Sequence, residues 1–399
     1  MVELLGPAGT LEKLKWAAAF GADAVYFGLK HGSLRSYAGN FTLDEAAEGI
    51  RYLHSRGKKG YVTLNIYPFS DDYPEIIKSA GALSEIGADA VIISDLGVLA
   101  ELKRKNINIP VHISTQSNTL SYQTVRAYHE LDAKRVNLAR ELSFDQIKEI
   151  QENIKAVGVE TEVFIHGSVC FSYSGRCAVS DYLTGRRANR GDCTQPCRWK
   201  YYLMEEERPV QFLPVFEDSG GLYLFNSRDL ALHGYVKGLM RIGVNSLKIE
   251  GRMKSINYIA STVSLYRRII NGEIIPRKEI DRLLSRVSNR GYSTGFMKGD
   301  ITPDDYDFEK SRARSNSVFA GNILEKGEKD HSVCRVRNKI LAGEQLEALI
   351  PSGKTITVTM PTPLCLIDGE FIEEANNEQY LILNEKLPPF TILRRIIND

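Results

Sequence analysis

Four of the six cysteines, Cys170, Cys177, Cys193 and Cys197, lie in one stretch between Glu162 and Tyr201, spaced C-x6-C-x15-C-x3-C. Gly, Ser, Asn and Pro punctuate that stretch, so it reads as a long loop, and a loop of that length inside a compact domain is usually functional. The other two cysteines, Cys334 and Cys365, are far apart, and no export segment is expected from the first residues of the sequence. Metal or redox chemistry therefore explains the cluster better than a disulfide framework. Structural zinc sites favour two short knuckles, and only Cys193 and Cys197 approach one. Thiolates drawn from a long irregular loop suit an iron–sulfur cluster at least as well. On spacing alone, cluster, zinc and unligated thiols all stay open.

The same stretch carries Arg186, Arg187, Arg190 and Arg198 among Tyr173, Tyr182, Trp199, Tyr201 and Tyr202. Aromatic faces offer an unstacked base somewhere to rest, and guanidinium groups pair with phosphates and carboxylates in two-point geometry. An RNA-facing rim is the functional reading of this pattern. A solvated charged surface is the alternative.

The elements that must hold this loop follow from periodicity. Short apolar runs at residues 3–5, 24–27, 61–66, 90–93, 110–113, 135–138, 162–165 and 246–249 alternate with amphipathic stretches such as 10–20, 43–55, 73–86, 121–131 and 143–156. Alternating strand and helix imply parallel strands, and eight of them imply an α/β fold of the (β/α)8 TIM-like barrel type. A doubly wound sheet would want a Gly-rich phosphate turn after the first strand, and Gly6–Thr10 is too short and carries a proline. Alternation within the strands turns Thr63, Asn65, His112, Ser114, Glu162, Phe164, His166, Ser246, Lys248 and Glu250 inward. Such an interior is too polar for packing alone. It is either a buried ion network joining Lys248 to Glu250 or a ligand site, and barrel active sites lie at the C-terminal strand ends. Gln116, Arg140, Glu141, His166, Glu250 and Arg252 fall at or just past those ends.

The chain has 399 residues, 43% hydrophobic and 25% charged, with a formal net charge of +1. That length suits two domains, and that charge gives no global field for nucleic acid, so any RNA contact must be local. No stretch approaches a membrane span, and the cytoplasm is the expected compartment. The barrel with its Cys-rich loop (162–201) is expected over 1–300, a polar linker over 301–315, and over 316–399 a small antiparallel β-barrel domain, because alternation with Gly turns takes over there.

Glu162–Ser180 (E-V-F-I-H-G-S-V-C-F-S-Y-S-G-R-C-A-V-S) and Asn189–Tyr201 (N-R-G-D-C-T-Q-P-C-R-W-K-Y) resemble the signature tracts of the collagenase-like peptidase family U32. S-T-Q-S-N (Ser114–Asn118), L-A-R-E-L (Leu138–Leu142), N-S-R-D-L (Asn226–Leu230), S-L-K-I-E-G-R-M-K (Ser246–Lys254) and N-R-G-Y-S-T-G-F (Asn289–Phe296) extend the likeness over nearly the whole chain. The branch it most resembles contains tRNA hydroxylation proteins. The resemblance implies hydroxylation of the wobble uridine of tRNA, with prephenate as a small dicarboxylate co-substrate and a 4Fe-4S cluster on Cys170, Cys177, Cys193 and a fourth cysteine. Many relatives take the fourth from the place that Ala231 holds here, which leaves Cys197 for the role.

The expected reading is an RNA-modifying enzyme. Gln116, His166, Glu250 and Arg252 are its catalytic candidates. Arg140, Arg186, Arg187, Arg190, Arg198, Trp199 and Lys248 are its substrate or RNA contacts. The alternatives are a U32-type peptidase and a non-catalytic iron–sulfur subunit working with a paralogous partner. The peptidase reading lacks H-E-x-x-H and lacks G-x-S-x-G after a strand; a cysteine–histidine pair could be assembled from Cys170 and His166, but nothing singles it out.

Overall fold

The computed structural model describes residues 2–34, 38–170, 172–199, 227–302, 305–306, 313–325 and 331–397, with the backbone alone at 217–218 and 221–222. Lys200, Tyr201, Tyr202 and Asn226, and much of the 301–315 segment, fall outside the described residues. Contacts divide the chain into two units. The first comprises Met1–Ala18, Ala22–Met253 and Arg290–Ala313, and the second Ala19–Gly21, Lys254–Asn289 and Arg314–Asp399.

The first unit is a closed parallel barrel. Its strands are β1 (Glu3–Pro7), β2 (Ala24–Gly28), β3 (Lys59–Leu64), β4 (Ala90–Ile93), β5 (Val111–Ile113), β6 (Arg135–Asn137), β7 (Glu160–Gly167) and, after an extra strand β8 (Asp229–Ala231), β9 (Ser246–Ile249). Each of β1–β6 pairs in parallel with the next, and β9 pairs in parallel with both β1 and β7 to close the ring. The eight apolar runs of the sequence are these eight strands. The connecting helices start where local chemistry says they should. Thr42 caps Leu43–His54, with Glu45 reaching back to the Thr42 N–H, and Ser143 and Gln146 do the same for Phe144–Ile154.

Inside the barrel, Leu5, Ala24, Tyr26, Tyr61, Ala90 and Ile92 form an apolar cluster. Beside it lies a buried ionic layer. Lys248 Nζ donates to Glu162 Oε1 at 2.8 Å, Ser246 Oγ donates to Glu162 Oε2 at 3.1 Å, and Arg135 reaches Glu3, Glu160 and Glu162. Burial pushes the Glu162 carboxyl up, but Lys248 and Arg135 outweigh it and hold the group below its ordinary value. Lys248 thus pairs with Glu162 rather than Glu250, because neighbouring strands bring the inward positions 162 and 248 together.

In the second unit an eight-stranded antiparallel sheet includes Ser317–Ile323, Ser332–Val336, Gln345–Leu349, Thr355–Thr359, Tyr380–Leu383 and Ile392–Ile396. Its terminal strands, Thr355–Thr359 and Phe371–Ile372, do not pair with each other among the described residues, so the sheet is a half-barrel. The same unit holds the helices Ile256–Ile270 and Arg277–Ser285. Fully buried Arg394 fastens sheet to helix, donating to Asn257 Oδ1 at 2.8 Å and Ser261 Oγ at 2.5 Å. No described helix is long and apolar enough to cross a membrane.

Candidate active site

The cysteine loop leaves the barrel at the end of β7. Gly167 makes the exit possible: its φ is +119°, and a Cβ there would stand 2.5 Å from the Glu250 carbonyl oxygen. A one-residue slip in the β7–β9 register sets Lys248 opposite Phe164 and Ile249 opposite His166. Phe164 therefore faces inward as alternation requires, while His166 is re-aimed and lies buried with its ring 5.4 Å from that of Tyr292.

Barrel side chains hold the loop in place. Tyr67 Oη donates to the Gln116 carbonyl at 2.5 Å, and Arg176 Nε donates to Tyr67 Oη at 3.0 Å. The Glu141 carboxylate accepts from both the Ser174 N–H and its hydroxyl, which also donates to Asn118 Oδ1 at 2.8 Å. The loop backbone is bent hard beside the cysteines. Ser174 and Gln195 take φ values of +47° and +58°, a conformation that costs of order 1–3 kcal/mol and gathers at functional sites.

The result is one cavity walled by Cys170, Cys177, Cys193 and Cys197 on the loop side and by Gln116, Arg140 and Glu141 on the barrel side. Ser227, Arg228, Ser293, Gly295 and Phe296 complete it, so the motifs scattered along the sequence meet here. Buried Arg290 ties them together, reaching Asp229 Oδ1 at 2.5 Å, Ser168 Oγ at 3.2 Å and the Ser227 carbonyl at 3.3 Å. Burial pushes the Cys197 thiol up to about 11, and the thiols of Cys170, Cys193 and Cys177 are near enough to add to that rise. The Val179 N–H donates to Cys177 Sγ and the Gln195 N–H to Cys193 Sγ, both at 3.4 Å. Among the described residues, no three His, Cys, Asp or Glu side chains are gathered tightly enough for a single metal ion. Ala231 is buried on β8 opposite His166 and does not line the cavity.

A second, deeper chamber adjoins the first. Gln116, Arg140, Thr115 and Leu34 line both. Its walls carry Thr63, Asn65, Ser114, Asn137, Lys248, Glu250 and Arg252 over a floor of Tyr26, Ile92 and Phe164. Arg252 is buried, donating to Thr63 Oγ1 at 2.6 Å and to the Leu34 carbonyl. Arg140 lies 3.9 Å from the Phe164 ring centroid and donates to the Ser168 carbonyl at 2.8 Å. Of the four catalytic candidates, Gln116, Glu250 and Arg252 share this chamber, and His166 lines neither space.

At the rim, Arg186 pairs with Asp192 at 2.5 Å, and Arg190 holds Asp72 through two contacts of 2.6 and 2.7 Å. Arg198 donates to Gln195 Oε1 at 2.7 Å. Arg187 is exposed, 5.6 Å from the ring centroid of exposed Phe69, and Tyr182 and Trp199 are exposed as well. Asn137 and Ser293 were not singled out by sequence reasoning. Asn137 sits inside a hydrophobic strand run, which gave no signal. Ser293 had one, since Gly291–Gly295 has the G-x-S-x-G spacing. Its hydroxyl accepts from the Gly295 N–H at 3.1 Å in a tight turn, and no histidine lines either space.

The profile of peptidase family U32 matches residues 9–305, and that of the U32 C-terminal domain matches 315–394. The chain is 35% identical to the tRNA hydroxylation protein P of Escherichia coli, covering 88% of this chain and 86% of that protein. It is 34% identical to the tRNA hydroxylation protein P1 of Bacillus subtilis, covering 98% and 94%. It is also 30% identical to a protein of Porphyromonas gingivalis named collagenase, covering 94% and 90%.

Proposed function

The chain belongs to peptidase family U32, and from that premise we propose that it is an RNA-hydroxylating enzyme acting on the wobble uridine of tRNA. The observation that carries this reading is the likeness, over most of both chains, to proteins named for tRNA hydroxylation. In the finer form of the proposal, Cys170, Cys177, Cys193 and Cys197 hold a 4Fe-4S cluster and prephenate is the co-substrate. When bound, the cluster supplies one-electron chemistry. The shared cavity and the N–H donors on two of its sulfurs support that assignment. Arg140, Lys248 and Arg252 around the inner chamber support an anionic co-substrate. Gln116 and Glu250 are proposed to contact the reacting molecules. Arg252 fixes the chamber wall, and His166 positions the strand end. Arg187, Tyr182 and Trp199 offer the RNA an exposed cation and aromatic faces.

The test is mass spectrometry of tRNA nucleosides from a deletion strain and from the strain complemented with the gene. Loss of 5-hydroxyuridine derivatives, restored on complementation, is the expected result. Unchanged nucleosides would sink the reading. The likeness to a protein named collagenase favours a peptidase as the second reading. It predicts cleavage of gelatin or casein by metal-replete protein.

A further inference from the structure

Asn137 ends β6 inside the inner chamber. It is 2% exposed, and neither its Oδ1 nor its Nδ2 has a hydrogen-bond partner. A buried polar group left unmet costs about 1–3 kcal/mol, so an amide with both ends unmet is expensive to keep. The other polar side chains of the chamber are engaged. Lys248 holds Glu162, Arg252 holds Thr63 and the Leu34 carbonyl, Arg140 holds the Ser168 carbonyl, and Asn65 Nδ2 donates to Ser114 Oγ at 3.3 Å.

We propose that the inner chamber binds a small organic anion that carries a hydroxyl group, and that Asn137 is the residue that reads the uncharged part of it. Oδ1 accepts from the hydroxyl, and Nδ2 donates to a carboxylate or carbonyl oxygen of the same molecule. Three cations, Arg140, Lys248 and Arg252, line the chamber with one carboxylate, Glu250, and with Lys248 paired to Glu162 the balance is still positive, so the space favours negative charge. A bare inorganic anion would satisfy Nδ2 and leave Oδ1 buried against like charge. An apolar ligand would strand both atoms. A neutral nucleobase would pair with the amide but gives no account of the three cations. The identification of this anion with the co-substrate rests on the functional reading above, and it separates the co-substrate chamber from the cysteine-walled cavity next to it.

The experiment is calorimetric titration of the full chain with prephenate and with phenylpyruvate, which lacks the hydroxyl and one carboxylate. Wild type is expected to bind prephenate at least about tenfold more tightly than phenylpyruvate. Asn137→Leu keeps the side-chain shape and removes both polar atoms. It is expected to weaken prephenate by about tenfold or more while leaving the melting temperature equal to or above that of wild type, since the unmet amide is gone. A residue with a purely structural role would instead lower the melting temperature. Asn137→Ala provides the second variant, with the same loss of preference for prephenate over phenylpyruvate. Failure of wild type to bind prephenate, or equal binding by wild type and both variants, would overturn the proposal. Either failure is distinct from unchanged tRNA nucleosides in the deletion strain, which would sink the functional reading itself.

Discussion

Arg190 and Asp72 join the cysteine loop to the turn that follows β3, through two parallel contacts of 2.6 and 2.7 Å. Arg190 lies three residues before Cys193. The pair therefore fixes where that thiol stands, and this guanidinium is engaged within the chain. The Arg190 hydrogen bond, with help from the Phe69 N–H, holds the Asp72 carboxyl down to about 2 from 3.8. A depressed carboxyl stabilises the fold above its unfolded value and loses that contribution as pH falls through the folded value. The stability gap between wild type and Asp72→Asn should therefore be constant from neutral pH down to about pH 5 and narrow as pH falls below 3.8. Thermal unfolding of both proteins across that range reads it, and a gap independent of pH would show that the contact carries no weight.

At the rim, the three arginines 186, 187 and 190 should not behave alike. Arg187 is the exposed one, whereas Arg186 and Arg190 hold Asp192 and Asp72. Arg187→Ala should weaken tRNA binding and lower the salt slope by about one unit. Arg190→Ala should act chiefly through loop placement, seen as lost iron rather than a changed slope. Titration of tRNA at several salt concentrations separates them. Equal slopes for wild type and Arg187→Ala would make the rim an ordinary solvated surface.

The ionic layer beneath the chamber should be costly to break from one side. Glu162→Gln leaves Lys248 buried without its anion, a loss of about 3–5 kcal/mol. Glu162→Gln combined with Lys248→Met should cost less than the two single changes added together, because the stranded charge goes too. Urea unfolding of the three variants measures the coupling, and strict additivity would refute it.

Anaerobically purified protein should be brown, with broad visible absorbance and bound iron. Replacing any one of Cys170, Cys177, Cys193 or Cys197 by alanine should reduce both. Cys334→Ala, fully buried in the second unit, should keep the colour and cost stability instead. Colour and iron undiminished in Cys197→Ala would remove it from the ligand set, and a colourless zinc protein would replace the cluster with a single-metal site.

Much of this was legible in the chain. The eight barrel strands follow from apolar runs of strand length alternating with amphipathic helices, because the strand faces that pack against the surrounding helices must be apolar. The cysteine loop follows from a stretch that keeps neither helical nor strand periodicity, although a short helix, Val179–Thr184, forms within it. Periodicity also puts Lys248 and Glu162 inside, but cannot say that they meet. That depends on the stagger of β7 against β9, a relation between strands far apart in sequence.

The same stagger turned His166 away from the place that simple alternation gave it. The rim depended on distant partners as well, because nothing near Arg190 in the sequence points to Asp72. Asn137 was invisible for the opposite reason. Its meaning lies in partners it lacks, and a missing hydrogen bond exists only once the whole barrel has closed around it.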